Sequence, residues 1–267
     1  MRRAVMAMTC AAAMACDRAP IAWRRATRPA PPVGAWQLVL DARGTASSAP
    51  APRATFVPPA GACASSVVFS RLGAREWFAA WWQPRRDGSA VLDVSRSVDD
   101  GATWTAPVAA DARDRSTASC ARPGPAIAAD STSGYVHLAY YLRAPEGAGL
   151  WFAHSMDRGA TWHAPVGVFF GDDPAAASVA AHGDTVAVAY EYPVAGDARV
   201  GVAVSVTTGH LFELHAAVSP STEAASDPRV AVRGPWVAVT WAARPPNADS
   251  TAPARLGVAV GTLRGGR

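Results

Sequence analysis

One octapeptide occurs twice in this chain and limits what it can fold into. Residues 97–104 read SVDDGATW and residues 155–162 read SMDRGATW, the same Ser-x-Asp-x-Gly-x-Thr-Trp frame 58 residues later. Each copy runs on into Ala-Pro-Val, at 106–108 and at 164–166. A third, eroded copy stands at 205–212. There SVTTGHLF keeps Ser205 and Gly209, replaces Trp by Phe212 and loses the Asp to Thr207. A long repeat with a fixed box marks an array of equivalent modules, each burying its apolar face against the next.

An alternating segment recurs at the same place in every module. WFAAWW at 77–82 corresponds to VHLAYY at 136–141, VAVAYE at 186–191 and VAVTWA at 237–242. One face carries large residues that end in Trp81, Tyr140, Tyr190 and Trp241, and the other carries mostly small ones. Period-2 alternation with both faces largely apolar describes a strand enclosed between neighbouring sheets. A shorter apolar run and a tight turn precede each such strand; a polar loop, a third strand, the box and a fourth strand follow it. The expectation is an all-β chain, a β-propeller of four-stranded antiparallel blades, four of them visible. The fourth module stops before its own fourth strand. The segment GAWQLV at 34–39, with Trp36 in the box position, is expected to supply it and close the ring from the N-terminal side, which removes exposed sheet edges. A fragment of a larger ring is the alternative.

Length and composition set the remaining bounds. The chain has 267 residues, enough for one large all-β domain. Half of the residues are apolar and 17% are charged, as in a well-buried globular protein. All the basic residues are Arg; without Arg2 and Arg3 the remaining 23 face 21 acidic residues, a net +2. Nucleic-acid binders concentrate far more positive charge, so no nucleic acid is expected as partner. Residues 1–15 read as an export signal, with a positive start and a short apolar run. Cys16 stands where a lipoprotein would be lipidated, so a lipid anchor and plain export both stay open, and a membrane enters only through such an anchor. Residues 16–33, rich in Arg, Ala and Pro, read as a disordered linker, and 34–267 as the propeller, a monomer. Cys63 and Cys120 are the two Cys outside the leader, expected to form one disulfide in an exported protein, with two buried thiols as the alternative. No cofactor is expected. No metal site is expected either, because the His are scattered, and His210 and His215 would face opposite sides of a strand.

The box itself suits structure. Gly101 and Gly159 supply a turn position with φ > 0, and Asp99 and Asp157 can accept hydrogen bonds from turn N–H groups. Trp104 and Trp162 can fold back as plugs, and Ser97, Thr103, Ser155 and Thr161 complete the frame. This frame resembles the Asp-box, or BNR repeat, of the sialidase-like propellers, over roughly residues 60–267. The resemblance implies that the boxes lie on the face opposite a ligand or active site. Sialidases of that family also carry an Arg-Ile-Pro or Arg-Leu-Pro motif, which this sequence lacks, and an Arg triad for the substrate carboxylate. The candidates on the box-distal face are Glu191 with Asp173 or Asp227 as a catalytic carboxylate pair, and Arg122, Arg143 and Arg229 as anion-binding residues. Glu191 stands out because its counterparts are Trp82, Tyr141 and Ala242. The favoured expectation is an exported propeller that binds a glycan or a protein of the cell envelope. The alternatives are a sialidase-like exo-glycosidase and a structural or assembly propeller.

Overall fold

The computed structural model describes residues 21–28, 35–173, 176–194, 196–249 and 252–263; the leader, with Cys16, lies outside them. The chain enters through β1 (Ile21–Arg28) and a hairpin of β2 (Trp36–Leu40) and β3 (Ala46–Pro50). Four meanders follow. The first contains β4 (Val68–Leu72), β5 (Glu76–Pro84), β6 (Ala90–Ser97) and β7 (Val108–Asp111). The second contains β8 (Ala126–Ala129), β9 (Val136–Ala144), β10 (Gly147–Ser155) and β11 (Val166–Phe170). The third contains β12 (Ala177–His182), β13 (Thr185–Val194), β14 (Asp197–Ser205) and β15 (Leu214–Ala217). The fourth contains, among the described residues, β16 (Ala224–Arg233), β17 (Trp236–Arg244) and β18 (Arg255–Leu263). Among the described residues pairing is antiparallel, in four four-stranded sheets and one two-stranded sheet.

The fourth sheet is completed from the N-terminal side, but by a different segment from the expected one. β1 pairs with β18 from Ile21 opposite Leu263 to Arg28 opposite Leu256. The tether reading of 16–33 is therefore corrected at 21–28. Ile21 and Trp23 of IAWRRATR pack on the core shared by the third and fourth sheets. They lie over Gly261, where any Cβ would stand 2.4 Å from Ile21 and 3.0 Å from Trp23. Trp36 starts β2 instead. The turn after β2 is set locally, by Asp41 Oδ1 accepting from the N–H groups of Arg43 and Thr45.

The second strand of each sheet is enclosed on both faces, as its alternation requires. Phe78, Ala79, Ala80, Trp81 and Trp82 are fully buried, and so are Leu138, Ala139 and Tyr140 on β9 and Val186 to Ala189 on β13. At about 25 cal/mol per Å² of apolar surface, these strands carry much of the hydrophobic stabilisation. The innermost strands β4, β8, β12 and β16, together with β2, surround a central cavity of about 910 Å³. The boxes lie between third and fourth strands, at the same end as the turns joining first and second strands; Asp100 N–H donates to Arg75 O and Trp77 Nε1 to Asp100 Oδ1 there. The opposite end carries the loops between second and third strands and the connections between sheets. Cys63 and Cys120 form a disulfide at that end, with Cα atoms 5.4 Å apart, and Cys63 N–H donates to Trp82 O.

Candidate binding site at the box-distal mouth of the cavity

The boxes are self-contained clasps. In the first, the Ser97 hydroxyl donates to Asp99 Oδ1 at 2.7 Å while Ser97 Oγ accepts from Gly101 N–H at 2.9 Å. Asp99 also accepts from the Thr103 N–H and hydroxyl, at 2.9 and 2.6 Å. The second box repeats this through Ser155, Asp157, Gly159 and Thr161 within about 0.2 Å. The third keeps the Gly209 N–H bond to Ser205 Oγ at 3.0 Å but has only Thr207 where the carboxylate was. In each box two successive residues are left-handed: Asp100 and Gly101, Arg158 and Gly159, Thr208 and Gly209.

Hydrogen bonds from Thr103 hold Asp99 down at a pKa of about 2, and those from Thr161 do the same for Asp157, against an ordinary 3.8. A depressed carboxyl contributes stability that is present above its unfolded pKa and lost as pH falls through the folded one. The melting temperature should therefore decline as pH drops from about 4 to about 2. Replacing both Asp99 and Asp157 by Asn should flatten that decline and lower the plateau above it. Thermal unfolding from pH 2 to 6 measures both.

At the box-distal end the residues converge around Arg229. β16 is bulged between Ser226 and Arg229, where Asp227 takes φ +55 ahead of Pro228. Bulges of this kind re-aim side chains next to functional sites. Arg229 Nη1 lies 2.8 Å from Asp227 Oδ1 and Nη2 3.3 Å from Oδ2, and the guanidinium sits 5.4 Å over the Trp36 ring. Asp227 N–H donates to Glu191 Oε1 at 2.6 Å, so the exchange of an aromatic or small residue for Glu at 191 has a visible consequence. Burial pushes the Glu191 carboxyl up; the Asp227 N–H opposes this and the Asp227 carboxylate adds to it. Arg229 also lines the central cavity, beside Trp36, Gln37 and Ser178. Its Nε is buried and has no hydrogen-bond partner among the described residues.

The other sequence candidates stand elsewhere. Arg122 is withdrawn into a buried ion pair, 2.7 Å from Asp114, and donates to Ser119 O and Ser116 Oγ while covering Trp82. Arg143 is exposed and paired with Asp172 at 3.3 Å. Asp173 follows at that same rim, near Tyr141. Arg122, Arg143 and Arg229 thus belong to three different sheets or their connections, and each is held by an acidic neighbour. The sequence reading missed a buried network between the first and second sheets. There Asp111 accepts from the Tyr140 hydroxyl at 2.8 Å and pairs with Arg113, which lies over Trp151. Burial and Asp111 together drive the Tyr140 phenol well above its ordinary pKa.

The expectation of scattered His is corrected. His154, His163 and His210 gather at the box end, their ligating nitrogens all within 4.8 Å of one another. His154 is the penultimate residue of β10, His163 follows the second box and His210 lies in the third, in a loop rather than in the strand expected for it. His137 pairs with His154 across the strands. Burial lowers both of these imidazoles to a pKa of about 4, helped in each case by neighbouring His rings.

The chain matches no protein-family model. It matches no curated protein either. Solved structures do resemble it. The phage phi92 endosialidase aligns with TM-score 0.54 and 12% identity, over 83% of this chain and 39% of that one. The Hadza microbial sialidase Hz136 gives 0.47 at 18% identity over 66% and 41%. The catalytic domain of the GH62 alpha-L-arabinofuranosidase of Coprinopsis cinerea gives 0.44 at 14% over 73% and 72%. The chain spans about two fifths of the length of the two sialidases. Likeness at such identity shows the fold alone: a sialidase-like β-propeller.

Proposed function

We propose that the chain is an exported Asp-box propeller that binds a glycan at the box-distal mouth of its central cavity. The carrying observation is Arg229. Its guanidinium is braced by Asp227 and Trp36, the residue lines the cavity, and its buried Nε–H has no partner among the described residues. A fixed cation beside a cavity of about 910 Å³ suits the hydroxyl or carboxylate oxygens of a sugar. Asp227 and Glu191 are both engaged, one with Arg229 and one with a backbone N–H, so they serve as braces of the rim. In this reading the ring has five blades, with the β2–β3 hairpin as a reduced fifth beside the cavity. The disulfide accords with export, with or without a lipid on Cys16, and the molecule acts as a monomer. A glycan-array screen tests the reading. Binding of a glycan by the wild type and its loss in Arg229→Ala, by about tenfold or more, is the expected outcome.

One observation favours a second reading, a glycoside hydrolase. Glu191 meets Asp227 N–H at 2.6 Å, and burial raises its carboxyl as a general acid requires. Turnover of fluorogenic sialosides or arabinosides that disappears in Glu191→Gln would establish it and displace the binding reading.

A further inference from the structure

We infer that His154, His163 and His210 form a binding site for a borderline transition-metal ion of the Zn²⁺ class, on the box face. This is independent of the glycan reading, which concerns the opposite end. Three imidazoles from two modules meet here. The ring centroids of His154 and His163 are 4.4 Å apart, those of His154 and His210 4.7 Å, and those of His163 and His210 5.7 Å. His154 is 2% exposed and its Nε2 makes no hydrogen bond among the described residues. A buried, unpartnered imidazole nitrogen is costly unless something occupies it.

The donor set selects the ion. Three neutral imidazoles without a carboxylate suit Zn²⁺, Co²⁺, Ni²⁺ or Cu²⁺ and not the oxygen-seeking Mg²⁺ or Ca²⁺. Zn–N bonds of about 2.0–2.1 Å in a tetrahedron put ligand nitrogens about 3.4 Å apart. A spacing within 4.8 Å thus needs only a modest closure, and His163 and His210 lie exposed at the surface. His210 is already oriented: its Nδ1 lies 2.7 Å from Thr207 O, which leaves Nε2 for the ion. A backbone carbonyl on the far nitrogen is the usual support of a metal-bound imidazole. His163 is tied from the main chain, its N–H donating to His154 O at 3.0 Å. Three protein ligands leave one position open to water or to an exogenous donor. The ion would bridge the end of β10 to the box of the following sheet, a junction where Phe152 and Phe212 already meet at 5.1 Å.

Other positions of the array show what is special here. Arg96 and Thr105 flank the first box as His154 and His163 flank the second, and Arg96 is paired there with Glu76 at 2.6 Å. The second box has Ala160 where the third has His210. The imidazoles therefore replace an ordinary polar junction at one place in the ring.

The test uses the full chain without an affinity tag, stripped with a chelator and titrated with Zn²⁺ against a chromophoric competitor, then with Co²⁺. One equivalent of Zn²⁺ per chain is expected, with binding weakened about tenfold or more in His163→Ala and in His210→Ala. Both residues are exposed, so the variants should fold, and their melting curves check this. His215→Ala, whose imidazole meets Phe212 O instead, should bind as the wild type does. Co²⁺ should give the intense visible bands of a four-coordinate site. Failure of the wild type to bind Zn²⁺, or equal binding by the His163 and His210 variants, overturns the inference.

Discussion

Replacing Cys63 and Cys120 by Ser is expected to lower stability by about 4 kcal/mol, because the bridge closes a loop of 57 residues. The effect arises mainly in the unfolded chain, which regains the freedom the cross-link removed. In the folded protein the bridge ties the segment before the first sheet to the one before the second. At about 2–4 °C per kcal/mol for a domain of this size, the melting temperature should fall by about 8–16 °C. Calorimetry of the double Ser variant measures it, and reductant added to the wild type should reproduce most of the drop. A melting temperature within 2–3 °C (about 1 kcal/mol) of wild type would mean that the bridge does not form.

Gly209→Ala is the second large effect. Gly209 holds φ +88, which costs an L-residue about 1–2 kcal/mol, and a Cβ there would stand 2.2 Å from the Phe152 ring of the preceding sheet. Phe152 is fully buried and cannot yield without repacking, which adds about 1–3 kcal/mol. Gly159 provides the control. It has nearly the same φ, +84, but its nearest neighbour would be Phe78 at 3.9 Å, an ordinary contact. Gly159→Ala should therefore cost only the backbone part, about 1–2 kcal/mol. Chemical denaturation of both variants tests whether the box seats against the sheet before it. Equal losses would contradict that packing.

Much of the fold could be read from particular residues. The repeated Ser-x-Asp-x-Gly-x-Thr-Trp frame marks the loop before each fourth strand, and the runs ending in Trp81, Tyr140 and Tyr190 mark strands buried on both faces. The strand completing the fourth sheet was not legible. Ile21 and Trp23 are the large apolar residues of IAWRRATR, and an Arg-rich stretch hides so short a pattern. The segment around Trp36 offered the stronger alternation, but its partner is its own hairpin mate. At the rim, Glu191 was legible because a carboxylate there breaks the pattern of its module, whereas the choice between Asp173 and Asp227 as its neighbour was open until the bulge in β16 placed Asp227 beside it. Arg122 looked equally available; its burial depends on Asp114, which a loop brings back beneath it. The His cluster had no local signature, since its members come from two modules and meet only after the sheets pack.

Ligand recognition at the box-distal mouth is tested most directly by isothermal titration of a glycan selected on the array against wild type, Arg229→Ala and Arg158→Ala. Arg158 lies on the box face, paired with Glu76 at 3.0 Å. Affinity reduced about tenfold or more in Arg229→Ala and kept in Arg158→Ala is the predicted result. Affinity kept in Arg229→Ala, or lost instead in Arg158→Ala, would contradict it.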